Sequence, residues 1–377
     1  MNSPINLLGA MSEKEFIKKF WGKRPCFVEK VIKDYKETVT REIISKISQD
    51  DQLYTKLITK HNTNFITHFG PFKKNILTKK DPYTLLIHKF HLLHHFSFSL
   101  FNSIKFIPFC RHDDVMLSFS SINGTVGPHS DSYDVFLFQG SGEKKWSIGA
   151  PQKIQIPPSE IKVEKKFKGE YEFLARPGDV IYVPPNTPHY GVANTNNCIT
   201  YSIGFRSPSN HDIKQRFLEF LIDGETEKFS LYNDSHDLNV SAKAMIPNTL
   251  IKYINKNCKD ALKNIDTTLF IGQFLSEPDL DTTFKKKKIS FKQFSNNQAH
   301  QNLYFDPASR GLYFDNYFFI NGLRLSVNKE DYVFFQNFFD KKYTAFSSDN
   351  SSLVLNEVIL QLLKDGFIHF DPPKFLI

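Results

Sequence analysis

From residue 115 to residue 205 the chain repeats one texture, short apolar runs broken by Gly, Pro, Asn and Ser: 115–120, 135–138, 144–148, 171–174, 180–183 and 198–205. Runs of this length and spacing read as strands of a sandwich or barrel. A closed sheet of that kind brings together side chains from distant strands. Here the candidates are His129 and Asp131 on one segment and His189, 60 residues later, on another.

Alternation along a strand sets residues i and i+2 on one face, so His129 and Asp131 point together while Ser130 points away. His189 follows Pro184, Pro185 and Pro188 in the run opened by Gly178-Asp179. The prolines make a rigid approach that fixes the imidazole with little entropy left to lose. Two imidazoles and one carboxylate are the donor set that holds non-haem Fe(II) on one face and leaves the other open to reactants. Either half alone would be weak; together, on separate strands, they predict an iron site.

The remainder of the chain frames that segment. At 377 residues it exceeds the usual single core, so two or three domains are expected. Ser12 and Glu15 form a capping box before a helix running to about Trp21, and 54–69 reads as short strands. A helix is expected over 83–103, with Leu86, Phe90, Leu93 and Ser97 on one stripe. It would carry His88, His91, His94 and His95, but with no carboxylate nearby these read as packing rather than metal ligands. Asn210 is placed to cap a helix over 211–222, and a further helix opens at Pro247-Asn248. Beyond Lys285-Lys286-Lys287-Lys288, a hairpin at Asn321-Gly322 and a helix ending near Gly366 suggest a small winged-helix-like module.

Cys26, Cys110, Cys198 and Cys258 are widely separated and form no Cys-x-x-Cys pair, which argues against a zinc ribbon and a disulfide framework. The first ten residues lack a basic and long apolar leader, and no stretch reaches about 18 apolar residues, so a cytoplasmic protein with no membrane span is expected. The net charge of +8 and the lysine run read first as solvated surface and leave direct RNA binding open.

The run Gly127-Pro128-His129-Ser130-Asp131-Ser132-Tyr133-Asp134, continuing through Val135 to Trp146, resembles the bacterial ribosomal oxygenases of the Jumonji-C/cupin class. Pro177-Gly178-Asp179 through His189, and Tyr201 to Arg206, resemble them too. Weaker echoes are Trp21-Gly22-Lys23-Arg24-Pro25, His68-Phe69-Gly70-Pro71-Phe72 and Ile271-Gly272-Gln273-Phe274, so the likeness spans roughly residues 12–280.

The resemblance implies an α+β fold: a double-stranded β-helix core over 1–210, a helical dimerisation domain over 211–284 and a winged-helix-like domain over 285–377. It implies His129, Asp131 and His189 as iron ligands, with Ser118 and Lys144 binding 2-oxoglutarate and dioxygen as the oxidant. Lys144 would pair with the cosubstrate's far carboxylate, where some bacterial members place Arg; an ammonium does so as a point charge without a bidentate fork. Met116 shares the face of Ser118 and either lines that pocket or packs in the core. Tyr133 and Asp134, just past the ligands, are candidates for substrate contact or for structural roles. The implied activity is hydroxylation of an arginine in a large-subunit ribosomal protein, by a homodimer. Alternatives are oxidation of another protein residue (histidyl hydroxylation or demethylation) and a non-catalytic cupin scaffold that binds RNA or protein.

Overall fold

The structure, a computed structural model, describes residues 5–62, 64–72, 76–153, 162–164, 167–223, 246, 248–260, 262–263, 265–296, 301–348 and 351–377. It divides into two compact units, one of 1–208 with 305–308 and 371–377, the other of 209–304 with 309–370.

The described elements of the first unit are α1 (Glu13–Lys19), β1 (Cys26–Val28), α2 (Arg41–Ile47), β2 (Thr55–His61), β3 (Asn64–Phe69), β4 (Tyr83–Ile87) and α3 (His95–Ser103). There follow β5 (His112–Ser120), β6 (His129–Ser130), β7 (Asp134–Ser141), β8 (Lys144–Ile148), β9 (Lys162–Val163), β10 (Tyr171–Ala175), β11 (Val180–Val183), β12 (His189–Ala193) and β13 (Cys198–Phe205). They form a sheet ordered β1-β11-β7-β13-β5-β4-β2-β3 and a second ordered β10-β8-β12-β6-β9. The strands expected between 115 and 205 are all present.

Alternation sorts the side chains between two apolar layers. Val135 and Leu137 of β7 join Ile181, Val183, Trp146 and Ile148 between the sheets, whereas Phe136 and Phe138 turn outward to Phe16, Tyr182 and Tyr201. Phe16 is fully buried from α1, its ring 5.4 Å from Phe136 and 4.9 Å from Tyr182. Truncating such an aromatic costs about 3–5 kcal/mol. Ser12 caps α1 by accepting from the Glu15 N–H, but the Glu15 carboxylate turns to Lys19 instead of reaching back.

Two expectations need correction. Residues 83–103 are not one helix: β4 is a strand, a 3₁₀ turn covers Phe90–Leu92, and only His95–Ser103 is α-helical. Tyr83 to Ile87 are all buried, and a short strand buried on both faces has no period to tell it from a helix. The cap at 210 is Ser209, whose Oγ accepts from the Asp212 N–H while the Asp212 carboxylate accepts from the Ser209 N–H, one residue earlier than expected.

The described elements of the second unit are α4 (Asn210–Asp223), α5 (Asn248–Asp260), α6 (Thr267–Ser276), α7 (Phe291–Asn296), β14 (Gln301–Phe305), β15 (Gly311–Phe314), β16 (Tyr317–Ile320) and β17 (Leu323–Leu325). They continue with α8 (Tyr332–Lys341), β18 (Tyr343–Phe346), α9 (Leu353–Asp365) and β19 (Ile368–His369). Asn321 and Gly322, with φ of 51° and 79°, make the expected hairpin turn between β16 and β17. Gly272 is required by contact: a Cβ there would lie 2.2 Å from the Phe319 ring of β16. Pro247 lies outside the described residues, as do 224–245 of the expected helical region.

Candidate active site

β6 and β12 pair with His189 directly opposite His129, and the two rings lie 4.2 Å apart. Asp131 follows at the end of β6; its carbonyl accepts from the Asn186 N–H at 2.7 Å, which ties it to the approach of His189. Its Oδ2 is 3.8 Å from His129 Nε2 and 3.6 Å from His189 Nε2. One donor atom from each of the three residues lies within 4.8 Å of the others. Ser130 points away, as alternation requires, and donates to Glu164 at 2.8 Å.

The two imidazoles are oriented alike. His129 Nδ1 lies 2.9 Å from the Gly127 carbonyl and His189 Nδ1 2.9 Å from the Thr187 carbonyl. A carbonyl only accepts, so each Nδ1 carries the proton and each Nε2 turns a lone pair inward. Burial, and then the neighbouring His129, push the His189 pKa down to about 4, so its ring is neutral near pH 7. Asp131 Oδ1 is buried with no hydrogen-bond partner. A carboxylate oxygen unsatisfied beside two inward lone pairs fits a divalent cation and little else.

Lys144 completes the pocket. In β8, Lys144, Trp146 and Ile148 are buried while Lys145 is exposed. The Lys144 ammonium sits 4.8 Å from the Trp146 ring centroid, and burial pushes its pKa down. No carboxylate among the described residues pairs with it, although its charge is felt at His189 and Cys198. A buried cation without a protein anion is unstable on its own, and the carboxylate of a small acid would relieve it. Gly191 on β12 makes room, since a Cβ there would lie 2.7 Å from Trp146 and 2.9 Å from Lys144.

Ser118 is buried on β5 and donates to the Thr200 carbonyl at 3.4 Å, and Met116 is half-buried on the same face outside both apolar layers. Tyr133 is half-buried, its proton held on by burial and by Asp131, Asp114 and Asp113. Asp134 is a correction. It faces the opposite way, accepts from Tyr182 Oη at 2.5 Å and pairs with Arg111 at 3.3 Å, a structural anchor rather than a group offered to substrate. Asp134 opens β7, and alternation sets it opposite to Val135, which packs between the sheets.

The sequence reading missed Thr200, Gln139 and Asn186. Thr200 pairs with Ser118 in the sheet register and donates to Gln139 Oε1 at 3.0 Å, extending the polar floor across β13 and β7. The signal was present: Thr200 and Ser202 alternate with Ile199, Tyr201 and Ile203, so one face of that strand is polar inside the barrel. Asn186 holds a left-handed φ of 56°, and its Oδ1 is buried without a partner. The histidines at 88–95 do not converge on a metal: the Val115 N–H donates to His91 Nδ1 at 3.2 Å, and His94 Nε2 lies 3.2 Å from Thr38 Oγ1.

Two sheets thus bring one His-Asp-His cluster together from distant parts of the sequence. Residues 99–213 match the family described as JmjC domain. The chain is homologous to the ribosomal oxygenases. It is 27% identical over 221 residues to the Escherichia coli ribosomal protein uL16 3-hydroxylase, an alignment covering 56% of this chain and 57% of that protein. It is 28% identical over 286 residues to a probable ribosomal oxygenase of Haemophilus influenzae, covering 73% of this chain and 67% of that one. The structure of the E. coli ribosomal oxygenase YcfD in complex with cobalt and 2-oxoglutarate has the same fold, with a TM-score of 0.76 at 21% identity over 96% of this chain and 99% of that chain.

Proposed function

We propose that this protein hydroxylates a ribosomal protein, with an arginine side chain of a large-subunit protein as the target. The observation that carries the reading is the pairing, in one pocket, of the His129-Asp131-His189 cluster with the buried and unpaired Lys144. The names of the E. coli and H. influenzae relatives support the ribosomal substrate.

His129, Asp131 and His189 would hold Fe(II) through two Nε2 atoms and one carboxylate. Lys144 would hold the far carboxylate of 2-oxoglutarate, with Ser118 beside it and Met116 along the wall. With both bound, the centre couples oxidative decarboxylation of 2-oxoglutarate by dioxygen to insertion of one oxygen atom into a substrate C–H bond. The chain's own part is to orient and to exclude water: the Gly127 and Thr187 carbonyls lock the ligand imidazoles, and Trp146 and Ile148 dry the floor. Tyr133, whose phenol feels the Asp131 carboxylate, would meet the substrate side chain.

The domain boundaries at 210 and 284 belong to the same reading. Leu218 and Ile222 of α4 and Ile251 and Ile254 of α5 are exposed, an apolar surface that suits a homodimer. Within 285–377, the three-stranded sheet β15-β16-β17 beside α8 suits a winged-helix-like module. No described helix is long and apolar enough to cross a membrane, and a ribosomal substrate points to the cytoplasm.

The deciding experiment is anaerobic loading with Fe(II), then 2-oxoglutarate and air in the presence of ribosomal proteins. Iron-dependent succinate together with a single added oxygen on one protein, located by mass spectrometry, is the expected result. No succinate under any condition would leave the scaffold alternative standing.

A further inference from the structure

The large sheet ends in two unlike edges. β1 is three residues long and largely covered, the usual way an edge is blunted. β3 is six residues long and exposed at every position, with Phe65 37%, Ile66 45% and Phe69 62% exposed. No described strand pairs with its outer side. An edge that is long, apolar and open is a template for another chain.

Which main-chain groups are open follows from the register. The Gly70 N–H donates to the Thr55 carbonyl at 3.0 Å, and the Lys60 N–H donates the other way, to Pro82. With Thr59 opposite Ile66 and Leu57 opposite His68, alternation turns the main-chain groups of Asn64, Ile66 and His68 toward β2. Those of Phe65, Thr67 and Phe69 face outward.

The side chains of these three residues share a face with Lys60, Ile58 and Lys56 of β2, then with Thr84 and Leu86 of β4, and so with Ser120 and Ser118 of β5. That is the face of the pocket. At about 4.8 Å per strand, Phe69 stands roughly 14 Å from Ser118 along one row. The other end of β3 is closer to the ligands: a Cβ on Gly127 would lie 3.1 Å from the Phe65 ring, two residues before His129. At the Phe69 end, the Lys56 ammonium lies 4.9 Å from the Tyr54 ring and 6.0 Å from the Phe69 ring.

We infer that β3 is the docking edge for the protein substrate, which adds to it as an extended strand and so delivers its reacting side chain past Phe65 to the site. The inference rests on the proposed function, since the occupant is that reaction's substrate. A polypeptide fits better than RNA because the open feature is a row of paired main-chain donors and acceptors, which a strand answers group for group. Alternate side chains of the added strand would lie against Phe65 and Phe69.

The test is Thr67→Pro beside Thr67→Ala. The Thr67 N–H makes no bond to β2, so proline removes an outward donor and leaves the β2–β3 ladder whole. Thr67→Pro should raise KM for the ribosomal protein about five- to tenfold, the loss falling on KM rather than kcat, whereas Thr67→Ala stays near wild type. In hydrogen exchange on the wild type, substrate should slow the amides of Phe65, Thr67 and Phe69 and leave Ile66 and His68 little changed. Equal KM for the two variants with no new protection at these amides overturns the inference. So does a Thr67→Pro effect confined to ribosomal RNA binding or to self-association. If the wild type oxidises no protein at all, it is the proposed function that fails, and the occupant named here goes with it.

Discussion

Two parts of the first unit are rich in histidine, and among the described residues one of them gathers a set that could hold a metal. Around His129 and His189 each ring gives its Nδ1 proton to a carbonyl two residues earlier in its own chain, and both Nε2 atoms face one carboxylate. Around His91 and His94 the ring nitrogens meet separate partners, the Val115 N–H and Thr38 Oγ1, and no three ligating groups converge there among the described residues. Imidazole content and helical spacing are alike uninformative; what separates the two regions is where the second nitrogen goes and whether a carboxylate closes the set.

The sharpest way to break this contrast is Asp131→Ala. Oδ1 makes no hydrogen bond in the fold, so the variant should keep its melting temperature without metal while losing metal affinity by more than about a hundredfold and turnover with it. Calorimetric titration with Fe(II) or Co(II), alongside a succinate assay, measures both. Normal metal uptake would show that the cluster has been misread. Next in size is Lys144→Ala, which removes the charge meant for the cosubstrate. It should raise KM for 2-oxoglutarate about ten- to a hundredfold, with metal affinity little changed. Lys144→Arg tests whether the wall at Trp146 and Gly191 admits the wider guanidinium.

This contrast marks how far the sequence could be read. His129 and Asp131 share a side as period-two alternation expects, with Ser130 turned to Glu164; the inward Lys144 is an expectation of the resemblance, and in β8 it is buried with Trp146 while Lys145 is exposed. The same reasoning failed at 83–103, where Leu85, Leu86 and Ile87 are all buried and burial on both sides erases the period. At Asp134 it left substrate contact and a structural role both open; the side chain is held on the outer face by Tyr182 and Arg111, which is the structural one. Polar partners contributed by other strands, such as Thr200 and Gln139, depend on register, and register is written in pairing rather than in any one segment.

The two regions should behave alike toward protons even though they differ toward metals. Burial pushes both His94 and His189 down to about 4. An imidazole held neutral in the fold takes up a proton more readily when unfolded, near pH 6.5. Its contribution to stability is therefore complete above about 6.5 and is lost as pH falls toward 4. For each ring the span is on the order of 3 kcal/mol. Urea melts of metal-free protein between pH 4 and 7 should flatten in both His94→Gln and His189→Gln, whereas only the second should lose metal uptake. Metal loss in His94→Gln would join regions that the geometry separates.

The smallest effect expected is at His91. Its Nδ1 accepts the Val115 N–H at 3.2 Å, and its ring stacks 4.4 Å from Phe101. Phe in its place would keep the stacking and leave one buried N–H at the edge of β5 without a partner, at a cost of about 1–3 kcal/mol. β5 also carries Ser118, so the variant asks whether packing behind the strand is felt in the pocket. A loss of stability with unchanged KM for 2-oxoglutarate is the expected outcome, because His91 and Val115 lie on the outer side of the sheet and Ser118 on the inner. A raised KM would mean that the two histidine regions, distinct in chemistry, are coupled through the one strand they share.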